Sequence, residues 1–226
     1  MAWCDTGWSM LIDLHAHTCV HSLDASHTPD ALIEAAKAAG LQGICLTEHD
    51  QFWDAAAAAD LGRRHNFLVI PGSEVNTEDG HMLVFGLYRY VFGMHRAAFL
   101  RALVDEADGV MLAAHPYRRR LRTEVAEWVP SYEKQLEDAG REEAFSLVHG
   151  LEAINGRGSA VQNKFSADLS GYKGLPSFGA SDSHDSKDVG ACATDFSRRI
   201  TDLESFVAEV KAGRFKPALL RAAKPA

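Results

Sequence analysis

The sequence predicts a single α/β domain, and three observations support this prediction. Short apolar runs alternate with helical patterns along the chain, which is typical of βα units. A chain of 226 residues with 46% hydrophobic residues is long enough to bury a sizeable core. We find no long linker, repeat or low-complexity segment that would divide it. We therefore expect residues 1–226 to form one domain, with residues 1–9 as a short N-terminal tail.

Seven apolar runs predict strands, and most of the intervening segments predict helices. The first strand is "MLIDL", and the first helix is "PDALIEAAKAA", with Thr28 as its N-cap, Pro29 at its first position and Gly40 at its end. The predicted strands span residues 10–14, 43–47, 67–72, 81–87, 109–115, 151–156 and 175–181. The predicted helices span residues 29–39, 53–65, 96–107, 133–145, 159–169 and 202–212.

The charge of the chain limits the partners that it can attract. The formal net charge is −8, and the basic residues are scattered apart from "YRRRLR" at 117–122. This balance favours neither a stable nucleic-acid partner nor an anionic membrane surface. No apolar run approaches the length of a membrane span. An anionic substrate would therefore need positive charge supplied locally.

The cysteines give no sign of a disulfide framework. They are widely separated and form no Cys-x-x-Cys pair, in a domain large enough to be stable without cross-links. The four are Cys4, Cys19, Cys45 and Cys192. We therefore expect a reducing, cytoplasmic setting.

Polar side chains collect where the predicted strands end. In a parallel barrel the carboxyl ends of all strands open on one face, so residues from distant parts of the sequence meet there. The residues in these positions are His15, His17, Glu48, His49, Glu74, His115, Asp182 and His184. The sequence therefore predicts one polar pocket on this face.

His15 and His17 have the spacing of residues that point to one side of a strand. Their positions are about 7 Å apart along the chain, so both imidazoles can contact one cation. A ligand set of imidazoles and carboxylates without a thiolate suits manganese, iron or zinc, and is typical of a catalytic site. The sequence therefore indicates a catalytic metal centre.

Four separated motifs resemble those of the PHP (polymerase and histidinol phosphatase) family of metal-dependent phosphoesterases. They are "DLHAHT", "LTEHD", "PGSEV" with "GHMLVFG", and "AAHPYR" with "GASDSH", in the order that the family has them. The resemblance implies a distorted (β/α)7 TIM-like barrel. It also implies a trinuclear metal centre at the C-terminal ends of the strands.

The resemblance further implies three divalent cations held by nine side chains. The implied sets are His15, His17, Glu74 and Asp182 for the first cation, Glu74, His81 and His115 for the second, and His21, His49 and His184 for the third. Asp24 competes with His21 for the last position. Glu48 departs from the family pattern, in which an Asp usually precedes the histidine of the second motif.

The resemblance implies hydrolysis of a phosphate ester by a metal-bridging hydroxide, with manganese, iron or zinc as the metal. We expect Asp182, His184 and His115 to take part in the reaction. Arg118 and Arg157 lie near the predicted mouth and can bind phosphate oxygens in pairs. The expected substrate is a small phosphorylated metabolite or a nucleotide.

Neighbouring polar residues are expected to support these groups. Asp13 and Asp50 flank candidate ligands, and such carboxylates often orient imidazoles. Asn155 lies just before Arg157 and is expected to support the same loop. Trp128 and Tyr132 are candidates for stacking on a substrate ring, although packing against the barrel is the favoured explanation.

Two other functions remain open at this point. A metal-dependent amidohydrolase also carries His-x-His after its first strand and Asp near its last. His49, Glu74 and the "SDSH" ending favour the phosphoesterase, whereas a metal-bound carboxylated lysine would favour the amidohydrolase. A non-catalytic, regulatory metal-binding domain is the other alternative.

Overall fold

The computed structural model describes residues 8–124 and 129–221. The helices among these residues are α1 (Pro29–Ala38), α2 (Ala55–His65), α3 (Ala97–Glu106), α4 (Tyr132–Gly140), α5 (Ala160–Lys173) and α6 (Leu203–Lys211), with a 3₁₀ turn at Glu143–Ser146. The strands are β1 (Met10–Asp13), β2 (Gly43–Leu46), β3 (Leu68–Pro71), β4 (Ser73–Thr77), β5 (Gly80–Phe85), β6 (Val110–Ala113), β7 (Leu151–Asn155), β8 (Ser177–Ala180), β9 (Cys192–Phe196) and β10 (Phe215–Leu219). Residues 1–7 of the predicted tail, which include Cys4, lie outside the described residues, and so does Trp128.

Helices α1 and α2 each begin at a residue whose side chain caps the helix N-terminus. The side chain of Thr28 accepts a hydrogen bond from the amide of Ala31, and Pro29 occupies the first turn of α1, as the sequence predicts. Asp54 caps α2 in the same way, and Asn66 ends α2 in a left-handed conformation. These local signals therefore define α1 and α2.

The prediction of a (β/α)7 barrel is wrong. The described strands form two mixed sheets of five strands each, and no closed sheet is present among them. The first sheet has the order β10-β9-β1-β2-β3, and the second has the order β4-β5-β6-β7-β8. Parallel pairing between neighbouring strands of these sheets is confined to β1-β2-β3 in the first sheet and β6-β7-β8 in the second.

Short connections and antiparallel edges explain the departure from a barrel. Only Glu78 and Asp79 connect β4 to β5, and a two-residue link can join only antiparallel strands. In the other sheet, β9 runs antiparallel to β1, and β10 runs antiparallel to β9. Both sheets therefore contain antiparallel pairs, which a (β/α)7 arrangement lacks.

The sequence analysis did not predict β4, β9 or β10. β4 reads "SEVNT" and is mostly polar, although its first three residues are buried. β10 reads "FKPAL", and Pro217 with Lys216 is typical of an edge strand rather than a buried one. Strand propensity is weak for such segments, and their pairing with long-range neighbours forms these strands.

The two sheets face each other across the main hydrophobic core. Ile12 and Leu14 from the first sheet pack in one buried cluster with Phe85 and Phe178 from the second, and with Phe206 of α6. Two further buried clusters lie between the sheets and the other helices. Helices α1 to α5 therefore pack against the sheets through these two clusters, whereas α6 packs in the main core. No helix among the described residues is long and apolar enough to cross a membrane.

Two isolated bridges join the sheets at one end of the core. Ala16, after β1, forms a parallel bridge with Ser183, after β8. His49, after β2, forms a parallel bridge with Glu74 at the start of β4. The strand-end residues of both sheets are therefore held side by side by backbone hydrogen bonds.

Candidate metal centre

One carboxylate oxygen of Glu74 is surrounded by three imidazoles. Its Oε2 lies 2.8 Å from Nδ1 of His49, 3.3 Å from Nε2 of His15 and 3.3 Å from Nε2 of His17. The Glu74, His15 and His17 side chains are buried, whereas His49 is 30% exposed. The sequence prediction that these groups share one pocket is consistent with this geometry.

The second oxygen of Glu74 contacts two further imidazoles. Its Oε1 lies 2.6 Å from Nδ1 of His81 and 2.9 Å from Nε2 of His115. His81 belongs to β5, which pairs with β4, so the hairpin itself brings this imidazole to Glu74. Glu74 therefore lies between two groups of imidazoles, which is the geometry of a bridging carboxylate.

Asp182 approaches the same imidazoles from the end of β8. Its Oδ1 lies 3.4 Å from Nε2 of His17 and 3.6 Å from Nε2 of His15. Its Oδ2 accepts hydrogen bonds from Arg118 and, at 3.3 Å, from Nδ2 of Asn155. One oxygen of Asp182 thus faces the imidazoles, and the other is held in place by hydrogen bonds from Arg118 and Asn155.

A third group of side chains contains Asp24 rather than His21. Oδ2 of Asp24 lies 3.1 Å from Nε2 of His184 and 3.6 Å from Nε2 of His49. His21 is exposed, and its ring packs edge-on against Trp53 with the ring centres 5.4 Å apart. Of the two residues that the sequence left open, the structure brings Asp24 to the cluster.

The donor atoms fit bound cations. Seven buried side-chain atoms among the described residues lack a hydrogen-bond partner, and four of them belong to the cluster: Nε2 of His15, Nε2 of His17, Nδ1 of His49 and Oε2 of Glu74. Unpartnered buried polar atoms are costly and rare, and these four converge on one point. Three groups of potential ligands are close enough to share an ion, namely His15 with His17 and Asp182, His15 with Glu74 and His115, and His17 with His49 and His184.

The protonation pattern of the cluster follows from burial and from the two carboxylates. Burial disfavours the charged form of His15, but Asp182 and Glu74 outweigh it and raise the pKa of His15 well above its usual value. Burial lowers the pKa of His17 to about 4. Burial acts to raise the pKa of Glu74, yet His15 and the hydrogen bond from His115 hold that pKa well below its usual range. A neutral His17 and an ionised Glu74 are ready to bind a cation.

Glu152 is a site residue that the sequence analysis missed. It is buried in β7, and its Oε1 lies 3.3 Å from Nδ1 of His15. Its Oε2 accepts hydrogen bonds from the amide of His115 and from Nδ2 of Asn155. The available signal was a single acidic residue within the apolar strand "LEAIN".

Glu48 holds the loop that follows His17. Its buried carboxylate accepts hydrogen bonds from the amide and the hydroxyl of Thr18, from the hydroxyl of Ser22 and from Nε1 of Trp53. The Ser22 hydroxyl also lies 3.3 Å from Nδ1 of His17. Because Ser22 donates to Glu48, its oxygen can accept from Nδ1 of His17, which leaves Nε2 of that imidazole free.

The two candidate phosphate-binding arginines both lie at the cluster. Arg118 donates to Asp182 and, at 3.3 Å, to Oδ1 of Asn155. Nη1 of Arg157 lies 2.7 Å from Nδ1 of His184. Asn155 also accepts from the amide of Arg157, so it supports this loop as the sequence predicts.

Asp13 and Asp50 do not orient imidazoles among the described residues. Asp13 accepts hydrogen bonds from the amides of His15 and Ser181, and its burial raises its pKa to about 6. Asp50 accepts from the amide and the side chain of Asn76. Both carboxylates hold backbone segments of the site, so the expectation for them is corrected.

The backbone of the site is strained at two candidate ligands. His115 has φ of 28° and Asp182 has φ of 52°, values that residues other than glycine rarely adopt. Such conformations persist where the surrounding structure holds them, and they cluster at functional sites. The strain is consistent with side chains placed for binding rather than for stability.

Comparisons with known proteins support the same interpretation. The model of the PHP domain family matches residues 13–154, and the model of the PHP-associated family matches residues 161–215. An error-prone DNA polymerase of Nocardia farcinica is 33% identical over 64 residues, which are 28% of this chain and 6% of the polymerase. A PolC-type DNA polymerase III of Oceanobacillus iheyensis is 34% identical over 68 residues, which are 30% of this chain and 5% of the polymerase. The chain thus spans only a small part of the polymerases that it matches.

Solved structures share the fold at low sequence identity. A two-domain protein of Bacteroides vulgatus, described as containing a predicted PHP-like metal-dependent phosphoesterase, aligns with a TM-score of 0.65 and 18% identity over 94% of this chain and 65% of its own. An amidohydrolase of Chromobacterium violaceum with bound sulfate aligns with a TM-score of 0.57 and 18% identity, over 94% of this chain and 99% of its own. The lesion-specific endonuclease PfuEndoQ of Pyrococcus furiosus aligns with a TM-score of 0.57 and 16% identity, over 93% of this chain and 58% of its own.

The sequence motifs had indicated the family, and the family model confirms that resemblance over more than half of the chain. The matched region begins just before His15 and ends just before Asn155, so it contains most of the clustered side chains. The chain belongs to the PHP domain family.

Proposed function

We propose that this chain is a metal-dependent phosphoesterase that hydrolyses a small phosphorylated metabolite or a nucleotide. The observation that carries the proposal is the convergence of three unpartnered imidazole nitrogens on Oε2 of Glu74, within 3.3 Å. Buried imidazoles and carboxylates without a thiolate are suitable ligands for manganese, iron or zinc at a catalytic site.

The geometry supports three cation positions. His15, His17, Glu74 and Asp182 would hold the first, and Glu74, His81 and His115 would hold the second. His49 and His184 would hold the third, and we propose Asp24 as its additional ligand in place of His21. Glu74 would bridge the first two positions, because each of its oxygens faces a different group of imidazoles.

When bound, divalent cations at this cluster would lower the pKa of a water to make it a nucleophile and would neutralise the charge of the phosphoryl group. The protein side chains prepare that reaction. Glu152 holds His15, and Arg118 with Asn155 holds Oδ2 of Asp182, so both candidate ligands are fixed before substrate arrives. The Arg157 guanidinium lies beside His184, where it can donate to phosphoryl oxygens.

Phosphate release from a substrate panel tests the proposal. The panel contains p-nitrophenyl phosphate, histidinol phosphate, mononucleotides and 3′,5′-bisphosphates, and the protein is stripped of metal and restored with manganese, iron or zinc. We expect release that depends on metal and that falls at least 1000-fold in His15→Ala, because a ligand is removed. His95→Ala, at an exposed position away from the described cluster, is the matched control and should retain activity.

The outcome of the panel also separates the alternatives. Hydrolysis of amides without release of phosphate would favour the amidohydrolase, whose fold is similar at a TM-score of 0.57. Bound cations without any hydrolysis would favour a regulatory metal-binding domain. Either result would contradict the proposed phosphoesterase.

We further propose that water attacks phosphorus directly. No described side chain is needed as a covalent nucleophile, because the clustered donors suit cations that activate water. Reaction in water enriched in oxygen-18 should place one labelled oxygen in the released phosphate in a single turnover, with no trapped phosphoenzyme. A stable phosphoenzyme would contradict direct attack.

A further inference from the structure

A cavity of about 160 Å³ opens beside the proposed cation cluster, next to His81 and His115. These two imidazoles also contact Oε1 of Glu74, at 2.6 Å and 2.9 Å, so the cavity begins at the edge of the cluster. Much of its lining comes from the motifs "GHMLVFG" and "AAHPYR". Its position is where the part of a substrate that leaves the phosphorus would be accommodated.

The deep wall of the cavity is apolar. Met82 on β5 and Ala113 on β6 are directly paired across the strands, and both are buried. Phe145 is 3% exposed and belongs to the same hydrophobic cluster. Charged side chains, namely Asp79, Arg118, Arg119 and Arg120, line other parts of the cavity, so only one of its walls is apolar. A volume of about 150 Å³ is large enough for a benzene-sized molecule, so one ring fits beside this wall.

Tyr117 forms a side of the cavity that is fixed in place. Its hydroxyl donates to Glu142, and the guanidinium of Arg120 lies 4.4 Å from the centre of its ring. Arg120 also donates two hydrogen bonds to Glu142, at 2.6 Å and 2.9 Å. The ring further packs on Phe165, with the ring centres 4.9 Å apart. A rigid aromatic wall loses little freedom when it binds a ligand.

We propose that this cavity, which we call the leaving-group pocket, selects phosphate esters whose leaving alcohol carries an apolar group of the size of a single ring. The proposal rests on the proposed phosphoesterase function and names the substrate class for that site. Arg118 and His115 border the cavity near Asp182, so a phosphoryl group at the cluster would place its ester oxygen toward the cavity. The buried wall would then remove the ring from water.

Binding of two phosphonates to the metal-loaded protein tests this proposal without turnover. Phenylphosphonate and methylphosphonate share the same anionic group and differ in the ring. We expect phenylphosphonate to bind at least about tenfold more tightly by calorimetry, because burial of one ring changes affinity by this factor or more. The ratio of kcat/KM for benzyl phosphate over ethyl phosphate, two esters whose leaving alcohols are of similar acidity, should favour the benzyl ester in the same direction.

Enlarging Ala113 should remove this preference. Ala113→Val should reduce the affinity ratio, and Ala113→Leu should bring it close to one, because the added carbons occupy the space of the ring. Overpacking can destabilise a core, so the milder Ala113→Val is included, and thermal melts accompany both variants. Ala98→Leu makes the same change at an exposed position of α3 outside the lining and should keep the wild-type ratio.

The outcomes distinguish this proposal from the one on which it rests. Equal affinity for both phosphonates, with phosphate esters still hydrolysed, would overturn the leaving-group pocket alone. A preference for the phenyl group that survives in a folded Ala113→Leu would also overturn it. Absence of binding for both phosphonates, together with no phosphate release, would overturn both proposals.

Discussion

Nδ1 of His15 lies 3.3 Å from Oε1 of the buried Glu152, on the side of the ring opposite to Glu74. If a cation replaces the proton on Nε2, a carboxylate in this position holds the remaining proton on Nδ1, which keeps the lone pair of Nε2 directed at the cation. Glu152 therefore has the geometry of a positioning residue for a metal ligand, although it does not approach the proposed cation itself.

We predict that Glu152→Gln weakens the binding of divalent cations by about 10- to 100-fold, because the imidazole of His15 loses the carboxylate that orients it. Competition with a chromophoric chelator measures this affinity. Glu143→Gln makes the same change at an exposed position and should leave the affinity unchanged. An unaltered affinity in a folded Glu152→Gln would show that His15 needs no such partner.

We predict that Glu48→Asp lowers the free energy of unfolding by about 1–3 kcal/mol. A carboxylate shortened by one methylene cannot reach the donors of Thr18, Ser22 and Trp53 together, and buried donors would lose their partners. Urea unfolding followed by tryptophan fluorescence measures the change. Glu106→Asp, at an exposed position of α3, is the control. Equal stability of Glu48→Asp and wild type would mean that the shorter acid replaces Glu48 fully.

We predict that Asp24→Asn reduces the number of bound cations by one, whereas His21→Ala does not. Asp24 contacts both His49 and His184, but the ring of His21 packs on Trp53. Metal analysis of the purified variants after dialysis against a defined metal gives the stoichiometry. The opposite pattern, with a cation lost only in His21→Ala, would restore His21 as the ligand.

We predict a pH-dependent contribution of His65 to stability. Hydrogen bonds to Asp30 at 2.7 Å and Glu34 at 2.8 Å raise the pKa of His65 and lower the pKa values of both acids. Stabilisation from the raised His65 pKa is present below about pH 6.5 and is lost as pH rises through the folded value. Stabilisation from the lowered acid pKa values is lost as pH falls below about 4.5.

The contribution of His65 should therefore be largest between about pH 4.5 and 6.5. His65→Ala should lower Tm by about 1–3 °C at pH 6, because exposed ion pairs contribute little, and by less at pH 9. His95→Ala is the control for removal of an exposed imidazole. A larger loss of Tm at pH 9 than at pH 6 would contradict the assigned charge state.

Particular residues show how far the sequence specified this fold and site. His15, His17 and Asp182 follow strands with clear apolar patterns, so their meeting place could be predicted from the α/β alternation. The strand that carries Glu74 could not be predicted, because "SEVNT" is too polar to read as a strand and its pairing with β5 is set by the hairpin. The antiparallel strands β9 and β10 had no local signal strong enough to exclude a barrel.

Contacts between distant segments explain what else the sequence left open. The choice between His21 and Asp24 depends on the path of residues 18–26, which Glu48 fixes through Thr18 and Ser22. The role of Glu152 depends on the packing of β7 beneath His15. Neither relationship is encoded in the spacing of a single motif, because each joins residues that are more than 20 positions apart.

A joint measurement of bound cations and phosphate release in Glu74→Gln tests the proposed metal centre. The amide keeps the shape of the side chain but removes the charge that faces five imidazoles. We predict about three bound cations and metal-dependent phosphate release for the wild type, and the same for Glu78→Gln, an exposed control on the same hairpin. In Glu74→Gln, we predict loss of both cations that Glu74 would bridge and loss of phosphate release. Full cation content and full release in Glu74→Gln would contradict the account.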